Sequence, residues 1–130
     1  MQSALPVKPA ELLVACLCAQ WCRTCDTYRA TLIAVRDALR VAHPEASIRF
    51  AWVDIEDEAA VVGDLDIEDF PTVVISRGTQ VMFAGPVMPH ARTLERLVRS
   101  ALEGALPALA APLPADLLAL PARLGRRPGL

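Results

Sequence analysis

Leu12-Leu13-Val14-Ala15-Cys16-Leu17-Cys18-Ala19-Gln20-Trp21-Cys22-Arg23-Thr24-Cys25 is the stretch on which the reading of this chain turns. Its first part, Leu12 to Ala19, is continuously apolar and short, which predicts a strand buried on both faces. The strand ends against a Cys-x-x-Cys pair. Beyond the pair, Leu32, Val35, Ala38, Leu39 and Ala42 recur at three- and four-residue spacing. That period predicts a helix from about Cys22 to Val41 with one core-facing stripe, ended by His43-Pro44.

Working outward, Ile48 to Ile55 reads as a second strand and about Asp57 to Leu65 as an acidic helical stretch. The connection between the two strands has the length of a βαβ crossover, so they are expected to be parallel. Thr72 to Ser76 and Gln80 to Ala84 are β-rich runs on either side of Arg77-Gly78-Thr79, which predicts an antiparallel hairpin. A last amphipathic helix, about Ala91 to Glu103, carries Leu94, Leu97, Val98, Ala101 and Leu102 on one face and stops at Gly104. The predicted order is β-α-β-α-β-β-α, an α/β domain with a central mixed sheet flanked by helices.

With 130 residues the chain accommodates one hydrophobic core, and 54% hydrophobic but only 5% aromatic residues leave the packing to Ala, Leu and Val. Residues 1–10 read as an irregular lead-in and 11–104 as the domain. Residues 105–130 read as an Ala/Leu/Pro-rich extension, with prolines at 107, 112, 114, 121 and 128 that suit no helix interior. The extension is expected to be loosely packed over the domain or partly disordered. A net charge of -2 and a single Lys argue against nucleic acid as a ligand. The eight acidic residues between Asp54 and Asp69, with no basic one among them, read as a solvated acidic face.

Leu13-Val14-Ala15-Cys16 has the form of a lipoprotein cleavage box, but only Leu12 to Ala15 precede that cysteine as an apolar run, shorter than a signal requires. No run of 18 apolar residues exists to span a membrane. The expected location of the chain as written is the cytosol.

All four cysteines, Cys16, Cys18, Cys22 and Cys25, fall within ten residues, unlike a framework that staples distant loops. Cys22 and Cys25, three apart on a first helical turn, lie within the separation a disulfide spans. The helix N-terminus favours negative charge by ~0.3–1 kcal/mol, which makes Cys22, nearer the helix end, the expected nucleophile. Arg23 between the cysteines adds a cation, and Asp26 acts in the opposite sense. The same spacing also suits a metal knuckle, and Cys16 and Cys18 would complete a four-sulfur set for zinc. Against that, Cys-x-Cys on an apolar strand is not the usual second knuckle, so Cys16 and Cys18 are expected to be buried core thiols and no metal is expected. The βαβ setting favours redox chemistry for Cys22 and Cys25.

Ala19-Gln20-Trp21-Cys22-Arg23-Thr24-Cys25, then Phe70-Pro71-Thr72, then Gly85 after the hairpin, together resemble the thioredoxin superfamily over roughly residues 11–104. The resemblance implies that Cys22 attacks a substrate disulfide, that Cys25 resolves the mixed disulfide, and that Phe70-Pro71 is a cis peptide bond. It also implies that the Phe70 backbone pairs with an extended substrate segment, and that Trp21, Pro71 and Gly85 form a flat contact surface. The buried acidic residue that such proteins carry six positions before the nucleophile is Cys16 here, and the lysine that often accompanies it aligns with Trp52. Asp26 or a water would then take the proton from Cys25. The Arg-Thr dipeptide differs from Gly-Pro, which leaves the direction of electron flow open, and the short lead-in suggests that an initial β-α unit is abbreviated.

The expected function is that of a dithiol reductase acting on protein disulfides, recharged by an external electron-donor reductase and needing no cofactor. An exported oxidase or isomerase is a second reading. A non-catalytic module that holds a client or assembly partner is a third, its contacts supplied by the acidic segment and the Pro-rich tail.

Overall fold

The computed structural model describes residues 11–125 and 128–130; the expected irregular lead-in, 1–10, lies outside them. Strand β1 (Leu12–Cys18) is the middle of the molecule, and all seven of its residues are buried. It pairs in parallel with β2 (Ile48–Asp54) and antiparallel with β3 (Thr72–Arg77), which pairs antiparallel with β4 (Gln80–Pro86). The four-stranded sheet therefore runs β2-β1-β3-β4 and is mixed. The β3–β4 turn passes through Gly78 at φ 60°, a backbone region that glycine enters without penalty. The pairing slips by one residue between Ile75 and Ser76.

A strand covered on both faces must be apolar at every position, which is why β1 shows no alternation. On one face, Leu12, Val14, Cys16 and Cys18 join Phe50, Val73 and Ile75 beneath α1 (Arg23–Ala42) and α3 (Ala91–Leu102). On the other, Leu13, Ala15 and Leu17 join Ala51, Val53 and Val74 beneath α2 (Ala59–Val62) and α4 (Ala115–Leu124). The buried stripe of α1 is Cys25, Tyr28, Leu32, Val35 and Leu39, whereas Ala38 and Ala42, expected on that stripe, are exposed. The short acidic helix is one turn, Ala59–Val62, rather than the stretch from Asp57 to Leu65.

Helix α4 is the principal departure from the sequence reading. Of the extension expected to be loose or disordered, residues 107–112 are indeed exposed, but α4 is ordered and packed, with Leu117, Leu120 and Leu124 buried. Pro121 does sit inside this helix. Its cost, about 3 kcal/mol for an interior proline, is outweighed by burying three leucines at roughly 1.5–3 kcal/mol each. Asp116 fastens the helix to the loop after α2: it accepts the Asp64 N–H at 2.8 Å and pairs with Arg123 at 2.6 Å. The tail also reaches both sheet edges, where Leu109 donates to the Val81 carbonyl on β4 and Leu130 to that of Phe50 on β2.

Candidate functional site

The site forms where β1 runs out and α1 begins. Ala19, Gln20 and Trp21 turn the chain, and the Cys22 N–H donates to the Ala19 carbonyl at 3.1 Å. Cys22 is the residue that caps α1, with extended backbone, and its carbonyl accepts the N–H groups of Cys25 and Asp26. Two ties hold this turn to the loop after β2: the Ile55 N–H donates to the Cys18 carbonyl at 2.9 Å, and Gln20 Nε2 donates to Asp57 Oδ2 at 3.1 Å. Both fix the end of β1 against that loop.

The four cysteines occupy three depths. Cys22 is half-buried at the rim and carries a free thiol. Cys25, only 2% exposed, begins the buried stripe of α1 and points at the sheet. Cys16 and Cys18 lie beneath it on one face of β1, as residues two apart on a strand must.

The structure joins Cys25 to Cys18, not to Cys22, with the two Cα atoms 5.8 Å apart. Cys18 is therefore not the free core thiol expected of it. The physical reason lies in the helix stripe: stepping back four and three residues from Leu32 gives Tyr28 and Cys25, so Cys25 faces β1 while Cys22 stands outside the helix. Carrying the helical period upstream was the signal that would have found this pairing. Cys16 remains a free buried thiol, and its Sγ lies 3.9 Å from that of Cys18. Since Cys18 has no S–H in the disulfide, Cys16 is the donor of that contact. Burial pushes the Cys16 thiol up to about 12, so it stays protonated. The Tyr28 hydroxyl above it is also raised, first by burial and then by Cys16, and its oxygen has no partner among the described residues.

Around Cys22, Trp21 is 67% exposed and stands edge-on to Phe70, with ring centroids 5.4 Å apart. The Phe70–Pro71 peptide bond is cis, Pro71 is buried, and the Pro71 carbonyl accepts the Val87 N–H at 3.1 Å. Trp21, Cys22, Phe70 and Pro71 are thus brought to one end of the sheet. Gly85 lies further along β4, opposite Val73, and borders a separate cleft of about 240 Å³ with Asp66, Asp69, Thr72 and Leu117. Arg23 and Asp26 are both exposed.

A larger cleft, about 430 Å³, reaches Cys25 from the side. Asp26, Asp54, Asp57 and Glu58 line it, together with Arg29, whose guanidinium stands 5.6 Å from the centre of the Trp52 ring. Among the described residues no group of three or more His, Cys, Asp or Glu is placed to hold a metal, and no helix is long and apolar enough to cross a membrane.

Comparison with known proteins agrees with this geometry. The family model for thioredoxin matches residues 4–101. Among solved structures, the zinc-bound form of human ERp44 superposes with a TM-score of 0.61 at 20% identity, over 70% of this chain but only 26% of that one. The oxidised mitochondrial thioredoxin 3 of Saccharomyces cerevisiae gives 0.54 at 21% identity, over 68% of this chain and 77% of its own. Deadhead, the germline-specific thioredoxin of Drosophila melanogaster, gives 0.54 at 18% identity, over 70% and 81%. Likeness at these identities is likeness of fold. No curated protein matches the chain.

Proposed function

The chain belongs to the thioredoxin family, and from that premise we propose that it is a thiol–disulfide oxidoreductase acting on protein disulfides, in the reducing direction. The observation that carries this reading is the placement of Cys22: a free thiol at the cap of a 20-residue helix, beside exposed Trp21 and Phe70-Pro71, with Cys25 one turn inside. The reacting group is the Cys22 thiolate, the nucleophilic form of a cysteine. It attacks one sulfur of a client disulfide and expels the other as a thiol, leaving client and protein joined through Cys22. In the fully reduced protein, with the Cys18–Cys25 bond opened by the external reductase, Cys25 as thiolate then attacks Cys22, the client leaves fully reduced, and the protein holds the disulfide that the client has lost. An external reductase returns the two electrons. The edge formed by Trp21, Phe70 and Pro71 is the proposed client contact, with Gly85 in the neighbouring cleft extending it.

The test is a redox titration of the purified protein in defined dithiol buffers, with free thiols alkylated and mapped by mass spectrometry, alongside reduction of a protein disulfide such as that of insulin. A reversible two-electron transition, with insulin reduction lost in Cys22→Ser, is the expected result. No transition between the reducing and oxidising ends of the series removes the enzyme reading. The exposure of Trp21 against Phe70 favours, in that event, the second reading: a module that holds its client without exchanging electrons.

A further inference from the structure

The proposed reduction cycle uses Cys22 and Cys25 and leaves Cys18 idle, yet Cys18 is the residue that the structure bonds to Cys25. Three sulfurs therefore lie in sequence from rim to core. Cys22 stands at the helix cap, Cys25 at the first turn facing inward, and Cys18 at the end of β1 directly below. Cys25 is placed to reach both others: it is three residues from Cys22 along the chain and 5.8 Å, Cα to Cα, from Cys18.

We propose that Cys25 is shared, so that the disulfide it forms with Cys22 during reduction passes inward to Cys18, and that the resulting Cys18–Cys25 form is a monothiol isomerase working through Cys22. The inference rests on the thiol-exchange reading above. In the transfer, the Cys18 thiolate attacks Cys25 Sγ; the Cys18–Cys25 bond forms, the Cys22–Cys25 bond breaks, and the electron pair leaves on Cys22. The proton given up by Cys18 is balanced by the one Cys22 takes up when it becomes a thiol. One disulfide is consumed and one formed, so no outside oxidant is needed.

The transfer changes what Cys22 can do. With Cys25 tied below, a mixed disulfide between Cys22 and a client has no internal thiol to resolve it. The client's own displaced or neighbouring thiol attacks instead, forming a new client disulfide and releasing Cys22 unchanged. Each turnover breaks one client disulfide and makes another, with no net electron flow. The two oxidised forms thus divide the labour: Cys22–Cys25 is the product of reduction, and Cys18–Cys25 keeps Cys22 available for rearrangement. Cys16 acts as a positioning residue, its S–H directed at Cys18 Sγ across 3.9 Å. A protonated neighbour stabilises the Cys18 thiolate that must form, and it does not compete as a nucleophile.

The experiment uses the full chain. It is oxidised in a glutathione or dithiol buffer, quenched with acid, alkylated in denaturant and mapped by peptide mass spectrometry, and it is assayed for reactivation of scrambled ribonuclease. In the oxidised wild type, Cys16 and Cys22 are expected to carry the alkyl label in most molecules. Cys22→Ser should still form an intramolecular disulfide, now Cys18–Cys25, while losing reactivation. Cys18→Ala should reverse the labelling, with alkylated Cys22 falling to below about a tenth of oxidised molecules and reactivation falling with it. The proposal is overturned if the oxidised wild type holds only Cys22–Cys25, or if Cys22→Ser forms no internal disulfide. In both of those cases a surviving two-electron transition leaves the oxidoreductase reading intact, whereas its absence from the wild type ends both.

Discussion

Cys16 is a buried thiol where the resemblance drawn from the sequence leads to the expectation of an acid, and in the proposed cycle that substitution changes the proton chemistry. Burial raises it to about 12, against roughly 8.5 for a thiol in an unfolded chain. The folded state therefore holds the proton more tightly, so its contribution to stability is complete below the unfolded value and is lost as pH rises through the folded one. Between about pH 9 and 12 the unfolded chain binds fewer protons, and stability should fall by up to about 1.4 kcal/mol per pH unit on account of this group. Urea unfolding across that range, with Cys22 blocked by alkylation, should show a shallower decline in Cys16→Val than in wild type. Parallel curves would show that Cys16 is not the group responsible. Because Cys16 stays a thiol at working pH, the proton of Cys25 needs another acceptor. Asp26 borders the cleft that reaches Cys25 and is exposed to solvent. In the proposed cycle, Asp26→Asn should slow resolution of the Cys22 mixed disulfide by about tenfold or more if the carboxylate is the base, read by stopped-flow decay of a fluorescent mixed disulfide. An unchanged rate would assign the proton to water.

At the scale of elements, α1 and α4 show what was legible in the sequence and what was not. The existence of α1 followed from a clear period, and its start at Cys22 was located to within a residue. Its buried face was misjudged at both ends, because alanine is apolar yet small enough to stand in solvent, as Ala38 and Ala42 do. Tyr28 and Cys25 were the members that belonged. For α4, five prolines argued against order, but Leu117, Leu120 and Leu124 already had the three- and four-residue spacing of a buried stripe. Local propensity is a weak prior where a sheet face needs a cover. Leu120, fully buried, tests that cover: Leu120→Ala should lower the unfolding free energy by about 2–4 kcal/mol in urea, while the thiol mapping stays as in wild type. A loss under about 0.5 kcal/mol would mean that α4 is not part of the cooperative fold. Removal of residues 105–130 is expected to expose Leu13, Leu17 and Val53, so it tests folding rather than client binding. The Asp116 clasp adds a pH sense of its own. The Asp64 N–H, and then Arg123, hold that carboxyl below its usual range, so its contribution is present at neutral pH and disappears as acid protonates it.

Across the whole molecule, the order of elements was readable because each segment's period, turn chemistry and length agreed with one topology. The partition of the cysteines was legible only by extending the period of α1 upstream, which turns Cys25 toward the strand that carries Cys18 and leaves Cys22 outside. Charge joins the two ends of the problem. The acidic run seen in the sequence folds around the reactive end: Asp54, Asp57 and Glu58 join Asp26 in the cleft beside Cys25, and Asp66 and Asp69 border the cleft beyond Phe70-Pro71. The end of the sheet where Cys22 caps α1 thus has an acidic cleft beside Cys25 and another past Phe70-Pro71, with Arg23 next to Cys22 in the chain and Arg29 in the first cleft. Such a field concentrates cationic reactants and repels anionic ones, and salt screens it over about 10 Å at 0.1 M and about 3 Å at 1 M. Disulfide exchange at Cys22 should therefore run several-fold faster with cystamine, which carries two ammonium groups, than with the anionic disulfide of glutathione at low ionic strength. The gap should close toward the intrinsic ratio of the two reagents in 1 M salt. Asp57→Asn with Glu58→Gln should narrow it without salt, because both carboxylates line the cleft and neither carries a sulfur that reacts. Rates that keep the same ratio from 0.01 to 1 M salt would mean that the acidic margins do not select clients, and that choice rests on the apolar surface of Trp21 and Phe70 alone.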